Sequence, residues 1–225
     1  MTGPREVANW QAKIDDLSAE WGSMHVPSPD LGDWNRLMTV MTSEVGQLRA
    51  TSQWRSGPRT LLEALGLHHR ELALTAGLGW LLDPDGHHGL GSAFLEDFLA
   101  ALGVPMPAPG PVSIQLEEQR NITRADLVLR CPQVTVLIEA KVWALEQPQQ
   151  CARLASEWAD ESPVLVYLTP RGVHPTTAGS SLDEWRTLSW GDVAEAVARA
   201  AARSDAAPGV HDYLNTLTHD VGRTR

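Results

Sequence analysis

The spacing of apolar and polar positions divides the chain into helical ends around a β-rich centre. Residues 1–60 contain helical pieces broken at "HVPSPDLGDW" and "RSGPR". Trp10, Trp21, Trp34 and Trp54 are scattered through them and are expected in a core or an interface. From Arg59 to Gly86 a Leu- and Ala-rich helix is expected. Leu74, Leu78 and Leu81 share one of its faces, and Asp83-Pro84-Asp85-Gly86 ends it in a turn. A second helix over 89–103 stops at Gly103, ahead of prolines. Three strands follow, over 111–119, 124–130 and 134–143. Then come a helix over 146–161 with Pro148 in its first turn, an apolar strand over 163–170 and a loop over 172–185. A short strand at 184–190 and helices at 191–204 and 208–222 complete the chain. The pattern predicts an α/β domain over 61–225 behind a helical N-terminal extension, residues 1–60.

Two of these strands carry charges where an apolar side chain would be expected. They read "RADLVLR" and "VTVLIEAKVW" and contain Asp126, Glu139 and Lys141. Burying a charge costs several kcal/mol unless it is paired or binds a metal. A hairpin turn centred on Pro132 and Gln133 sets Asp126 opposite Glu139, with Cβ atoms about 5 Å apart. Strand alternation puts Lys141 on the same face as Glu139, with Ala140 on the other. Two close carboxylates repel unless a cation lies between them. A hard cation such as Mg²⁺ takes oxygen ligands, and an adjacent ammonium can orient water or neutralise a phosphate. The combination suits metal-assisted phosphodiester hydrolysis. A plain ion pair at a strand end is the simpler reading of Glu139 and Lys141 taken alone.

Composition narrows the setting. The chain has 225 residues and a formal net charge of −10, which excludes a protein that coats nucleic acid through a broad basic surface. A local basic groove is still compatible with it. The only lysines are Lys13 and Lys141; every other cation is Arg. Retaining Lys inside the charged strand is a hint that a compact point charge matters there. Cys131 and Cys151 form no CxxC and are expected as reduced thiols. No stretch is apolar enough to span a bilayer, and the N-terminal residues lack a signal-peptide layout, so a cytoplasmic location is expected.

Asp126, a twelve-residue spacer and Glu139-Ala140-Lys141, in this strand order, resemble the PD-(D/E)XK nuclease signature. Ala125 stands where the signature has its Pro. The following "EQPQQCARL" is similar to the helix of members that carry a Gln, here Gln150, although the Tyr that often follows is Leu154. Upstream, "RELALTAGLGWLLDPDGHHGLG" resembles the opening helix of a bacterial subgroup, which places its Glu at Glu71, its hydroxyl residue at Thr75 and its His at His88. "LSWGDVAEAV" resembles that subgroup's closing helix.

The resemblance implies a restriction-endonuclease-like αβββαβ core with a central mixed sheet flanked by helices. It implies Mg²⁺, with Mn²⁺ as a substitute, held by Asp126, Glu139 and the Ala140 carbonyl. Glu71 would be a further ligand or hold water, and Lys141 would activate water or stabilise the transition state. Gln150 would buttress the site. Products would carry 5′-phosphate and 3′-hydroxyl ends. Arg124, Arg153 and Arg171 are candidate phosphate contacts, with Arg120 and Arg130 also near in sequence. Trp143 is a candidate for stacking on a base. His88 suits a turn or capping role and is also a candidate for the groove. The expected activity is Mg²⁺-dependent hydrolysis of DNA, by family analogy in bacterial defence, restriction or repair. RNA as substrate, or a non-catalytic scaffold for a partner protein, are the alternatives; a homodimer is also open.

Overall fold

The computed structural model describes residues 4–24 and 31–221. The chain divides into two compact units, residues 1–55 and 56–225. The first contains two 20-residue helices, α1 (Pro4–Ser23) and α2 (Leu31–Ala50). The break expected over 25–34 lies outside the described residues up to residue 30, and α2 begins at Leu31. Trp10, Trp21, Trp34 and Trp54 are all exposed, so the early tryptophans form no core within the first unit.

The helix expected over 59–86 is two helices. Thr60 caps α3 (Leu61–Ala64), accepting the Glu63 amide on its side chain. Gly66, at φ 67°, ends it at once, because the Leu67 amide turns back onto the Leu62 carbonyl. The chain then restarts as α4 (Glu71–Leu82), followed by α5 (Ala93–Ala101). Leu74, Leu78, Leu81 and Leu82 are all buried, so α4 is packed on more than one side.

The sheet has the order β1 (Ser113–Arg120), β2 (Thr123–Cys131), β3 (Val134–Ala140), β4 (Val164–Thr169), β5 (Trp185–Ser189). The first three strands are antiparallel neighbours, and β4 and β5 continue parallel to β3. This is the expected α/β architecture, a five-stranded mixed sheet flanked by helices, with an N-terminal helical region. The short segment at 184–190 is a full member of the sheet. Helix α6 (Gln150–Glu157) links β3 to β4, and α7 (Trp190–Ala202) and α8 (Pro208–Thr216) follow β5. Helix α6 begins later than expected. Gln149 adopts φ 56° immediately before it, so Pro148 lies in the preceding turn and not in the first helical turn. A capping box between Ser189 and Asp192 starts α7.

Each face of the sheet has its own core. Leu127, Leu129, Val136, Ile138, Val166 and Leu168 pack against α4, α5, α7 and α8. Val128, Leu137, Leu165 and Tyr167 pack against α6 with Trp158 and Trp185. Cys131 and Cys151 are free and buried. Among the described residues, no helix is long and apolar enough to cross a membrane.

Candidate active site

The β2–β3 hairpin turns at Pro132 and Gln133, and Gln133 takes φ 66°. Its ladder runs from Cys131↔Val134 to Leu127↔Ile138, the register that leads on to Asp126 and Glu139. Asp126 sits where regular pairing stops on both sides. The β2–β3 ladder ends one residue short of it, and the β1–β2 ladder omits it together with Glu117, which has φ 51°. Such an interruption re-aims a side chain. The Asp126 carboxylate accepts the Ala140 amide at 2.8 Å and so bridges to the end of β3.

Strand β3 ends at Ala140, so Lys141 lies one residue beyond the strand that was expected to run to 143. Its backbone is nonetheless tied on both sides. The Lys141 amide donates to the Leu168 carbonyl at 2.7 Å, and its carbonyl accepts the Trp190 indole N–H at 3.1 Å. The chain departs from the sheet here because Glu71, at the start of α4, captures it. One Glu71 oxygen accepts the Val142 and Ala144 amides at 3.1 and 3.0 Å. The other oxygen is 3.9 Å from the Lys141 ammonium. The Thr75 hydroxyl donates to the Glu71 carbonyl.

Glu139 is fully buried. Its Oε1 accepts both the Lys141 ammonium and the Gln150 amide, each at 2.5 Å, while its Oε2 is buried without a partner. Gln150, the first residue of α6, also accepts the Gln147 amide, so it braces Glu139 against the turn before the helix.

Burial, then the Asp126 charge, push Glu139 up to about 8. Burial also raises Asp126, only partly offset by the Ala140 amide and Lys141. For Lys141, burial alone would favour the neutral amine, but Glu139, Asp126 and Glu71 outweigh it and raise its pKa, so the ammonium stays charged. A carboxyl raised on folding stabilises the protonated fold. Its contribution is therefore lost as pH climbs from its ordinary 4.5 through about 8. In chelator, stability is expected to fall across that window, by up to about 1.4 kcal/mol per pH unit for this one proton. Glu139→Gln should flatten the decline. Chemical denaturation of both proteins at several pH values measures it, and an equal slope in the variant would remove Glu139 as the cause.

Glu71, Arg124, Asp126, Lys141, Gln150 and Arg153 line one cleft of about 430 Å³, with Glu139 beneath it. Arg124 is mostly exposed and pairs with Glu117 at 3.0 Å. Arg153 donates to the Pro148 carbonyl.

Other expected contacts are elsewhere. Arg171 is exposed and outside the cleft lining. Trp143 is also exposed, but it lines a separate hollow with His68, His69, His219 and Asp220. Because β3 ends at Ala140, strand alternation does not set Trp143 beside Lys141. His88 is fully buried and does not face the cleft. Its Nδ1 accepts the Leu90 amide, so the Nε2–H tautomer donates to the Asp83 carbonyl, and Trp80 meets the ring edge-on. Arg120 and Arg130 are committed to Glu118 and Glu161, with Arg120 also reaching Asp160 and lying over Trp158.

Two residues of this neighbourhood escaped the sequence reading. Trp190 anchors the Lys141 carbonyl. Glu146 accepts amides and hydroxyls from both Thr176 and Thr177, which ties the 172–185 segment to the turn before α6. Burial would raise Glu146, but those bonds prevail and lower it. The only signal for Trp190 was its place in the "LSWGDVAEAV" segment; Glu146 had none.

A divalent cation can be tested against these groups. The buried, unpartnered Glu139 Oε2 and the mutual repulsion of Glu139 and Asp126 are what a missing positive ligand would relieve, and both supply hard oxygen donors. The residues fit. Among the described residues, however, no three His, Cys, Asp or Glu side chains are placed to share an ion. Glu71 has one oxygen engaged by backbone amides, so its observed work is to hold the 142–144 turn. Glu71→Ala is expected to lower turnover roughly 10- to 100-fold, the usual cost of a displaced support residue. Glu71→Gln, which keeps an acceptor for both amides, should recover most of it. Failure of Gln to rescue would instead favour a ligand role.

Neither a curated protein nor a solved structure significantly matches the chain. Residues 61–215, which include the sheet and every residue of the cleft, match the PD-(D/E)XK nuclease superfamily, whose members are mostly metal-dependent phosphodiesterases. The chain thus belongs to the PD-(D/E)XK nuclease superfamily.

Proposed function

We propose that this protein is a Mg²⁺-dependent nuclease that hydrolyses DNA phosphodiester bonds. The observation that carries the reading is the buried Glu139, with one oxygen unsatisfied, set beside Asp126 and Lys141 under an open cleft. Asp126, Glu139 and the Ala140 carbonyl would hold the cation. When bound, it would offset the two carboxylates and the charge on a phosphate.

The chain's own groups supply the rest. Arg124 and Arg153 stand on the cleft lining, where they can seat backbone phosphates. Lys141 is protonated, so it acts as a donor that orients water and stabilises charge on the phosphoryl oxygens, not as a base. Water adds to phosphorus and gives up a proton to solvent, the bond to the 3′ oxygen breaks, and that oxygen takes a proton from solvent to leave as hydroxyl. The 5′-phosphate remains. Glu71, Trp190 and Gln150 keep Lys141 and Glu139 in place. Because Arg124 and Arg153 would neutralise phosphates, binding should weaken with salt, and the net charge of −10 should keep it weak.

The test is cleavage of supercoiled and linear DNA, and of RNA, with Mg²⁺ or Mn²⁺. Nicking of DNA that requires metal and is lost in Lys141→Met supports the reading. Cleavage confined to RNA corrects the substrate. Absence of both cleavage and metal binding overturns the enzyme.

A further inference from the structure

The first unit contains two helices whose apolar residues, among the described side chains, are nearly all exposed. In α1 and the residue after it, Val7, Trp10, Ile14, Leu17, Trp21 and Met24 recur at alternating spacings of three and four. In α2, Leu31, Trp34, Met38, Met41, Val45 and Leu48 do the same. Each series is a three-heptad seam, with Val7, Ile14, Trp21, Leu31, Met38 and Val45 at a and the others at d. From Trp10 onward these side chains are exposed, apart from the half-buried Val45. Trp10, Trp21 and Trp34 are 64, 78 and 60 % exposed, and α2 has no buried residue. A helix with an uncovered apolar stripe is marginal alone and marks an interaction surface.

We propose that α1 and α2 are the dimerisation segment of this chain, and that α2 pairs in parallel and in register with α2 of a second copy. Three observations select that occupant. The first is pattern: a strict seven-residue repeat calls for another helix of like repeat and supercoils with it. The second is charge. Glu44 falls at g and Arg49 at the e position five residues on. Parallel in-register pairing sets Glu44 of each copy against Arg49 of the other, twice by symmetry. Within the single chain, Arg49 lies over the Trp54 ring instead. The third is area. Three tryptophans and seven further seam residues exposed by 37 to 78 % offer roughly 1,000 Å² of apolar surface per copy. A standard stable interface needs about 800 Å² per partner.

The experiment is the mass of the full-length chain by light scattering and sedimentation, up to about 100 µM, where association responds to concentration. Twice the chain mass is expected. Met38 and Met41 are 57 and 58 % exposed, so Met38→Glu/Met41→Glu should give a monomer whose second unit keeps its circular dichroism and melting. Glu44→Lys and Arg49→Glu should each weaken association by at least about tenfold through like charges across the seam. Their combination should return it close to wild type. A monomeric wild type at every concentration, or a dimer indifferent to the Met38/Met41 change, overturns the proposal. A dimer that the double charge reversal fails to restore overturns the parallel register.

Discussion

Asp126→Asn is expected to abolish metal-dependent cleavage, by at least about a thousandfold, while making the metal-free protein more stable. The two effects have one cause. Asp126 and Glu139 are held close at the end of two strands; burial raises both carboxyls, and the Asp126 charge raises Glu139 further. Without a cation, that arrangement destabilises the fold. Asn keeps an oxygen that can accept the Ala140 amide now bound at 2.8 Å, so the local structure survives. It removes the charge that pushes Glu139 up and with it a cation ligand. The expected gain is about 1 kcal/mol in chelator, or roughly 2–4 °C in the thermal midpoint for a chain of this size. Calorimetric titration with Mn²⁺ should show weakened or absent binding. A variant that still cleaves would dismiss Asp126 from the site. A lower midpoint in chelator would show that its carboxylate is needed as a structural acceptor. Lys141→Met should match the loss of cleavage, because the protonated amine is the cation that contacts Glu139.

Gly89→Ala should be among the most damaging substitutions for stability. Gly89 takes φ 74°, a conformation that costs an L-residue energy. A Cβ there would stand 2.0 Å from the Asp205 carbonyl oxygen, which is backbone and cannot swing away. The contact belongs to a larger clamp: the Ala207 amide donates to the His88 carbonyl, joining the turn after α4 to the start of α8. The combined strain and collision are expected to cost about 3 kcal/mol or more, lowering the midpoint by roughly 10 °C. Differential scanning calorimetry reads it directly, and an unchanged midpoint would mean that the 205–207 segment yields freely. The prediction also separates two views of "HGLG". Packing and turn geometry account for His88 and Gly89.

Local signals made much of the architecture legible. Strand periodicity and the Pro132–Gln133 turn led to the β2–β3 pairing, because alternation and a two-residue turn leave little freedom in register. Lys141 stood out as one of only two lysines. Boundaries were less legible. Gly66 divides the 59–86 segment into two helices, and the left-handed Gln149 delays α6, since a single backbone angle overrides a run of good helix formers.

The sequence by itself determined the α/β class, the succession of strands along the chain and the presence of two acids and a lysine in apolar strands. These follow from periodicity and from the cost of burying charge, which are local or pairwise properties. Only the tertiary structure decided which neighbours answer those charges. Glu71 reaches across more than seventy residues to the Val142 and Ala144 amides, and Trp190 reaches back to the Lys141 carbonyl. That early turn carried Trp143 away from the site, and packing buried His88. Contacts of this kind depend on where separate elements meet in space, and no spacing within one element records them.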